Sequence, residues 1–235
     1  MTKILCYDDS YLQEFDATVV METSDGVILD QTAFYPGGGG QPCDTGRLVD
    51  QENTYTVNKV SRKDGYCIHH VDGPVPKKGT SVQGKIDWER RYQLMRTHTA
   101  LHTLCGIVWR EYGAKVTGSD MKLLSARMDF ELERMTTDFA SEVEETVNHE
   151  LMSAHPVVVK TLPREEAFQI PDLIRTKINL LPSSINEVRV VEIVGLDLQS
   201  DGGTHVKNTS EVGKIKVVKH ESKGRINKRL RIEVL

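Results

Sequence analysis

Two histidines four residues apart can act together when the segment between them is helical, because both imidazoles then lie on one face, one turn apart. The stretch "RTHTALHTLCG", residues 96–106, holds such a pair, His98 and His102. Imidazoles so placed can bind one zinc ion. Thr99 follows the first histidine, so this is not the H-E-x-x-H of a metalloprotease. A pair of histidines packed in a core or on a surface is the alternative. Against it, the surrounding residues are apolar, and burying two polar rings without partners costs free energy. A third histidine, His205, stands in "SDGGTHVKNTSEVG", residues 200–213, after Gly202, Gly203 and Thr204. A glycine pair lets the backbone turn sharply and lets another group come close. Three histidines leave one position at a tetrahedral zinc. Either Asp201 fills it with a carboxylate oxygen, or water fills it and Asp201 acts beside it. An open position would make this a zinc hydrolase, since zinc-bound water ionises near neutral pH and attacks carbonyls. The residues alone leave the substrate unstated.

These side chains need a scaffold. From Asp87, a plausible N-cap, the residues Tyr92, Met95, Leu101, Leu104, Cys105, Val108 and Trp109 keep helical spacing up to Gly113, a natural residue for the helix end. A strand pair follows, "AKVTGSDMK" and "LLSARMDFEL". A second helix is expected from about Thr137 to Ala154, with Phe139, Val143, Val147 and Leu151 on one stripe and Pro156 beyond its end. The segments "VVVKTL", "EVRVVEIVG", "KIKVVKHES" and "KRLRIEVL" read as strands. Residues 87–235 are therefore expected to be α+β, with helices covering one face of an antiparallel sheet. The first 86 residues read as β. Hairpin signals stand at Asp25-Gly26 and Asp64-Gly65, and "TSVQGKID" is a last short strand, which suggests a small barrel or sandwich.

The 235 residues, 38% hydrophobic and 27% charged, suffice for one large or two modest cores and argue against wholesale disorder. No apolar run approaches the roughly 20 residues that span a bilayer. Acidic residues follow the N-terminus too soon for a signal peptide, so a cytosolic protein is expected. Cys6, Cys43, Cys67 and Cys105 form no C-x-x-C and read as small hydrophobes. A net charge of −4 argues against a general nucleic-acid coat, and DNA is not expected as a partner. Residues 213–235 nevertheless carry a local +6. This is either an RNA-facing tail or a solvated edge strand guarded by lysines. In "YPGGGGQP", Gly37, Gly38, Gly39, Gly40 and Gln41 form either a bare turn or a backbone that approaches a phosphate or substrate. No G-K-[ST] follows, so it is not a P-loop.

Three motifs in order, "AFYPGGGGQPCDTG" (33–46), "RTHTALH" (96–102) and "DGGTHVKNTSEVG" (201–213), are joined by "SARMDFE", "VRVVEIVGLD" and "ESKGRINKRLRIEV". With them the chain resembles, over nearly its whole length, the AlaX family of freestanding alanyl-tRNA editing proteins, in its medium-length class. It is similar to the editing domain of alanyl-tRNA synthetase and, more distantly, to that of threonyl-tRNA synthetase. The resemblance implies an N-terminal β-barrel domain over 1–86 and a zinc-binding editing domain over 87–235. It implies trans-editing, the hydrolysis of the ester that joins serine, or in some members glycine, to the tRNA for alanine. An apolar synthetase pocket rejects an added hydroxyl only about a hundredfold, and a second hydrolytic sieve remedies this. His98, His102 and His205 would be zinc ligands. The fourth family position is commonly cysteine, and here it is Asp201. Thr117 lies about where the family places a residue that reads the seryl hydroxyl, with Thr99 and Ser119 as rivals. The glycine-rich loop would pack beside the editing site, with Cys43 as packing. The tRNA would be held by phosphate contacts from basic C-terminal strands, for which Lys223, Arg225, Lys228 and Arg229 are candidates. A module that binds tRNA or a synthetase without catalysis is the alternative, kept open by Asp201.

Overall fold

The computed structural model describes residues 1–133, 136–178, 181 and 185–235. The chain divides into two compact units, Met1–Gln93 and Leu94–Leu235.

The first unit contains β1 (Lys3–Ile4), β2 (Glu14–Thr23), β3 (Gly26–Leu29), β4 (Gln31–Thr32), β5 (Gly46–Val49), β6 (Thr54–Lys63), β7 (Tyr66–Val71) and β8 (Ser81–Ile86). Six of them close a barrel in the order β2-β3-β7-β6-β5-β8, all pairs antiparallel. Strand alternation builds its core: Phe15, Ala17 and Val19 of β2 and Val82 and Ile86 of β8 point inward among Leu29, Phe34, Leu48, Val57 and Val60. The Asp64-Gly65 hairpin turns as its sequence suggests, with positive φ at both residues. The other does not. Its turn is Ser24-Asp25, and Gly26 begins β3. A Cβ on Gly26 would stand 1.9 Å from the His69 carbonyl oxygen, so this glycine serves a close strand approach. β3 ends at Leu29, and β4 pairs in parallel with β1.

The helix α1 (Trp88–Tyr112) carries both spaced histidines. Asp87 Oδ1 accepts from the Arg90 N–H at 3.2 Å, and Gly113, with φ +60°, donates to the Trp109 carbonyl at 2.9 Å. Then come β9 (Val116–Lys122), β10 (Ser125–Glu131), α2 (Thr137–Met152), β11 (Val157–Pro163), α3 (Arg164–Ala167), β12 (Glu187–Ile193), β13 (Asp197–Ser200), β14 (Ile215–Ser222) and β15 (Asn227–Val234). Two antiparallel sheets result, ordered β14-β15-β10-β9 and β11-β12-β13. The apolar stripe of α2, Phe139, Val143, Val147 and Leu151, is buried. Its polar side chains also reach the neighbouring sheet. Asn148 bonds both backbone groups of Ile215, and Glu144 accepts from the Val217 N–H at 2.6 Å, so α2 occupies part of the open edge of β14. The protein is α+β, with a closed barrel in its first unit. Among the described residues no helix is long and apolar enough to cross a membrane.

Candidate metal centre

Helical spacing sets His98 and His102 side by side on α1, with ring centroids 5.1 Å apart. After β13 the chain runs through Asp201–His205, which brings a carboxylate and a third imidazole to the same place. The His205 ring stacks on His98 at 4.2 Å and meets His102 edge-on at 4.7 Å. His205 Nε2 lies 3.1 Å, and His98 Nε2 3.5 Å, from the Asp201 carboxylate. One donor atom from each of the four residues falls within 4.8 Å of all the others. A tetrahedral zinc with bonds of about 2.0–2.1 Å would space its ligands by roughly 3.3 Å.

The outer ring atoms have partners. His102 Nδ1 pairs with Asp197 Oδ2 at 3.1 Å, and His205 Nδ1 hydrogen-bonds Thr99 Oγ1 at 3.2 Å. His98 bonds the Thr204 backbone. Asp201 is braced by the Gly203 N–H at 2.6 Å and by Arg189, which donates to its carbonyl at 3.0 Å and lies 3.9 Å from its carboxylate. Burial pushes the pKa of His98 down to about 4 and that of His205 well below its ordinary value. His102 differs: burial works to lower its pKa, but the hydrogen-bonded Asp197 carboxylate outweighs this and raises it. Burial works to raise the pKa of Asp201, yet His98 and the hydrogen bond with His205 hold it well below the usual carboxylate range. Three buried imidazoles around one carboxylate form a donor set that fits a divalent metal such as zinc.

The surroundings of Asp197 were not legible beforehand. Gln199 donates to its Oδ2 at 2.7 Å, and Arg175, lying over the Trp109 ring, places Nε 3.7 Å from its Oδ1. Nothing local relates Asp197 to a histidine 95 positions earlier. Arg175, Arg189 and Gln199 likewise left no spacing signal.

Thr99 is fully buried beside His205, and its hydroxyl also accepts from the Val206 N–H at 3.3 Å. Thr117 is exposed on β9 and donates to Asn227 Oδ1 at 2.8 Å; Ser119 is exposed on the same strand. Gly202 and Gly203 lack the left-handed backbone that would require glycine. Gly202 is exposed, and a Cβ there would meet nothing within 4 Å, so the position after Asp201 is open. Thr204 is buried. In the first unit, Gly37, Gly38, Gly39 and Gly40 all have positive φ, and Gly38 and Gln41 exchange backbone hydrogen bonds of 3.0 and 2.9 Å. The Tyr35 hydroxyl donates to the Gly38 carbonyl at 3.0 Å. The loop is thus a bonded tight turn rather than a bare one. Of the basic residues, Lys223 and Arg225 are exposed. Lys228 is buried and donates to the Gly224 and Arg225 carbonyls at 2.7 and 2.9 Å. Arg229 forms a two-pronged pair with Asp129 at 2.6 and 2.7 Å. The four cysteines are free thiols.

Residues 3–90 match the family model "tRNA synthetases class II (A)", and residues 188–231 match "Threonyl and Alanyl tRNA synthetase second additional domain". The chain is 41% identical over 244 residues to an alanyl-tRNA editing protein AlaX-M of Methanosarcina acetivorans, with all of both chains covered. It is 40% identical to an AlaX-M protein of Saccharolobus solfataricus, with 98% of both covered. It is also 39% identical to the alanine–tRNA ligase of Pyrococcus furiosus, over 94% of this chain and 24% of the ligase.

Proposed function

This chain belongs to the AlaX-M family of alanyl-tRNA editing proteins, and from that premise we propose that it is a trans-editing hydrolase that removes serine from mischarged tRNA for alanine. Glycine is its second substrate. What carries this reading is the convergence of His98, His102, Asp201 and His205 on one point. These four residues would hold a zinc ion, with the Asp201 carboxylate in the fourth position. When bound, the ion supplies Lewis acidity for ester hydrolysis.

The remaining work falls to the chain's own groups. Thr99 holds the His205 ring through Nδ1 and so aims Nε2 inward. The open position at Gly202 leaves room beside Asp201 for the aminoacyl end. Amino-acid esters are already labile, so holding the ester in place supplies much of the rate. Serine would be told from alanine by a hydroxyl that pairs with the seryl group and stays unpaired with alanine. Thr117 and Thr99 are the two candidates. The exposed Lys223 and Arg225 would meet tRNA phosphates, whereas Lys228 and Arg229 would brace the strands that carry them.

The test is deacylation of seryl-tRNA for alanine, with alanyl-tRNA and glycyl-tRNA alongside, before and after chelation and zinc return. Selective serine release that is lost with chelator and restored by zinc is expected. No release by zinc-loaded protein from any of the three would leave a binding-only module. Thr117→Val and Thr99→Val are then compared by their serine-to-alanine ratios in kcat/KM. The variant that loses about tenfold or more of that ratio marks the reader.

A further inference from the structure

Helix α1 keeps a glycine, Gly106, in its interior, four residues after His102, where glycine is the poorest helix former after proline. The neighbouring packing accounts for it. A Cβ at Gly106 would stand 2.9 Å from Asp197 Cβ and 3.1 Å from the Leu196 carbonyl oxygen, and neither atom is the free end of a flexible side chain. The bare helix surface at Gly106 is what lets the corner before β13 settle against α1. Asp197, 4% exposed, is thereby brought level with His102. Its Oδ2 accepts from His102 Nδ1 at 3.1 Å and from Gln199 Nε2 at 2.7 Å. Its Oδ1 faces Arg175 Nε at 3.7 Å and has no hydrogen-bond partner. Three groups thus hold the carboxylate in one orientation.

We infer that Asp197 is a positioning residue for His102, and that Gly106 is the helix position that admits it. The carboxylate keeps a proton on Nδ1 and so leaves Nε2 as the ring nitrogen turned to the cluster with Asp201, His98 and His205, the one that gives up any proton when a metal binds. A ligating histidine needs that bare nitrogen, and a fixed outer partner both orients the ring and makes it more basic. The consequence for metal affinity rests on the zinc reading given above; the state of the ring does not.

The full-length protein labelled with 15N-histidine decides the matter, read through imidazole correlations first without metal and then on adding zinc. His102 is expected to carry hydrogen on Nδ1 in both spectra. A bare Nδ1 on His102 overturns the inference. If zinc moves none of the resonances of His98, His102 and His205, the zinc reading falls, while the metal-free spectrum still decides the role of Asp197. Zinc affinity, measured by competition with a chromophoric chelator, is the second readout. Asp197→Asn is expected to weaken zinc about 10–100-fold. Gly106→Ala should weaken it in the same direction, although alanine is the better helix former and no charge changes. Undiminished affinity in both folded variants overturns the inference. Should Asp197→Asn fail to fold, the wild-type spectra still give the answer.

Discussion

His69 in the barrel and His98 on α1 have the same depressed pKa, about 4, for the same first reason, burial. Their surroundings are opposite. His69 Nδ1 donates to the Val27 carbonyl at 3.3 Å, Nε2 pairs with the Thr32 hydroxyl at 2.8 Å, and the ring packs edge-on to Phe34. The barrel's buried charges are closed in the same way. Asp44 takes the Arg91 guanidinium and the Tyr35 N–H, and Arg91 also donates to the Ser10 and Ala33 carbonyls. His98 instead lies among two other imidazoles and a carboxylate whose donor atoms converge. Nearby, buried atoms of Arg175 and Asp197 lack hydrogen-bond partners. A lowered pKa reports burial; convergent donors around one point report a site.

Substitutions can break this contrast. The largest effect is expected from His98→Ala. It should abolish stoichiometric zinc and cut seryl-tRNA deacylation by on the order of a thousandfold, since a metal supplies several kcal/mol of transition-state stabilisation. Metal analysis and single-turnover deacylation would show it, and full activity in a zinc-free variant would remove the metal from the mechanism. Next comes Asp44→Asn, which leaves Arg91 buried beside a neutral partner. It should cost about 3–5 kcal/mol in urea unfolding. A loss under about 1 kcal/mol would mean that the barrel does not depend on the pair.

His69 sharpens the contrast through pH. Its folded pKa, about 4, lies below the ordinary histidine value of about 6.5. The unfolded chain therefore takes up the proton first. The stability this neutral ring contributes is complete above about pH 6.5, falls as pH drops through that window, and is gone below about pH 4, a change of roughly 3 kcal/mol. His69→Gln has no ring to protonate and should lose less stability between pH 6.5 and 4 than wild type. Parallel curves would contradict the assignment. The smallest effect is expected at the exposed basic residues. Lys223→Glu with Arg225→Glu should weaken tRNA binding roughly tenfold and flatten its salt dependence, while metal content and unfolding stay unchanged.

How far these features could be read beforehand followed the range of the interactions. The α1 cap at Asp87, its end at Gly113, the buried stripe of α2 and the Asp64-Gly65 turn depend on residues a few positions apart. The end of β3 at Leu29, the short β5 and β13 and the turn at Ser24-Asp25 carry no such local mark. Pairing with distant strands decides each of these, as the clash awaiting a Cβ at Gly26 illustrates.

The same division runs through the candidate site. The sequence by itself determined that His98 and His102 share a helix face, because helical periodicity is a local property, and its ordered motifs pointed to the family. It also marked His205 and Asp201 as candidates. Only the tertiary structure decided that these four residues meet, that Asp197 stands behind His102, and that Lys228 and Arg229 are bonded to other groups of the protein. Those outcomes depend on how α1, β13 and the C-terminal hairpin are brought against residues about a hundred positions away, or on hydrogen bonds inside one hairpin, and a linear spacing records neither.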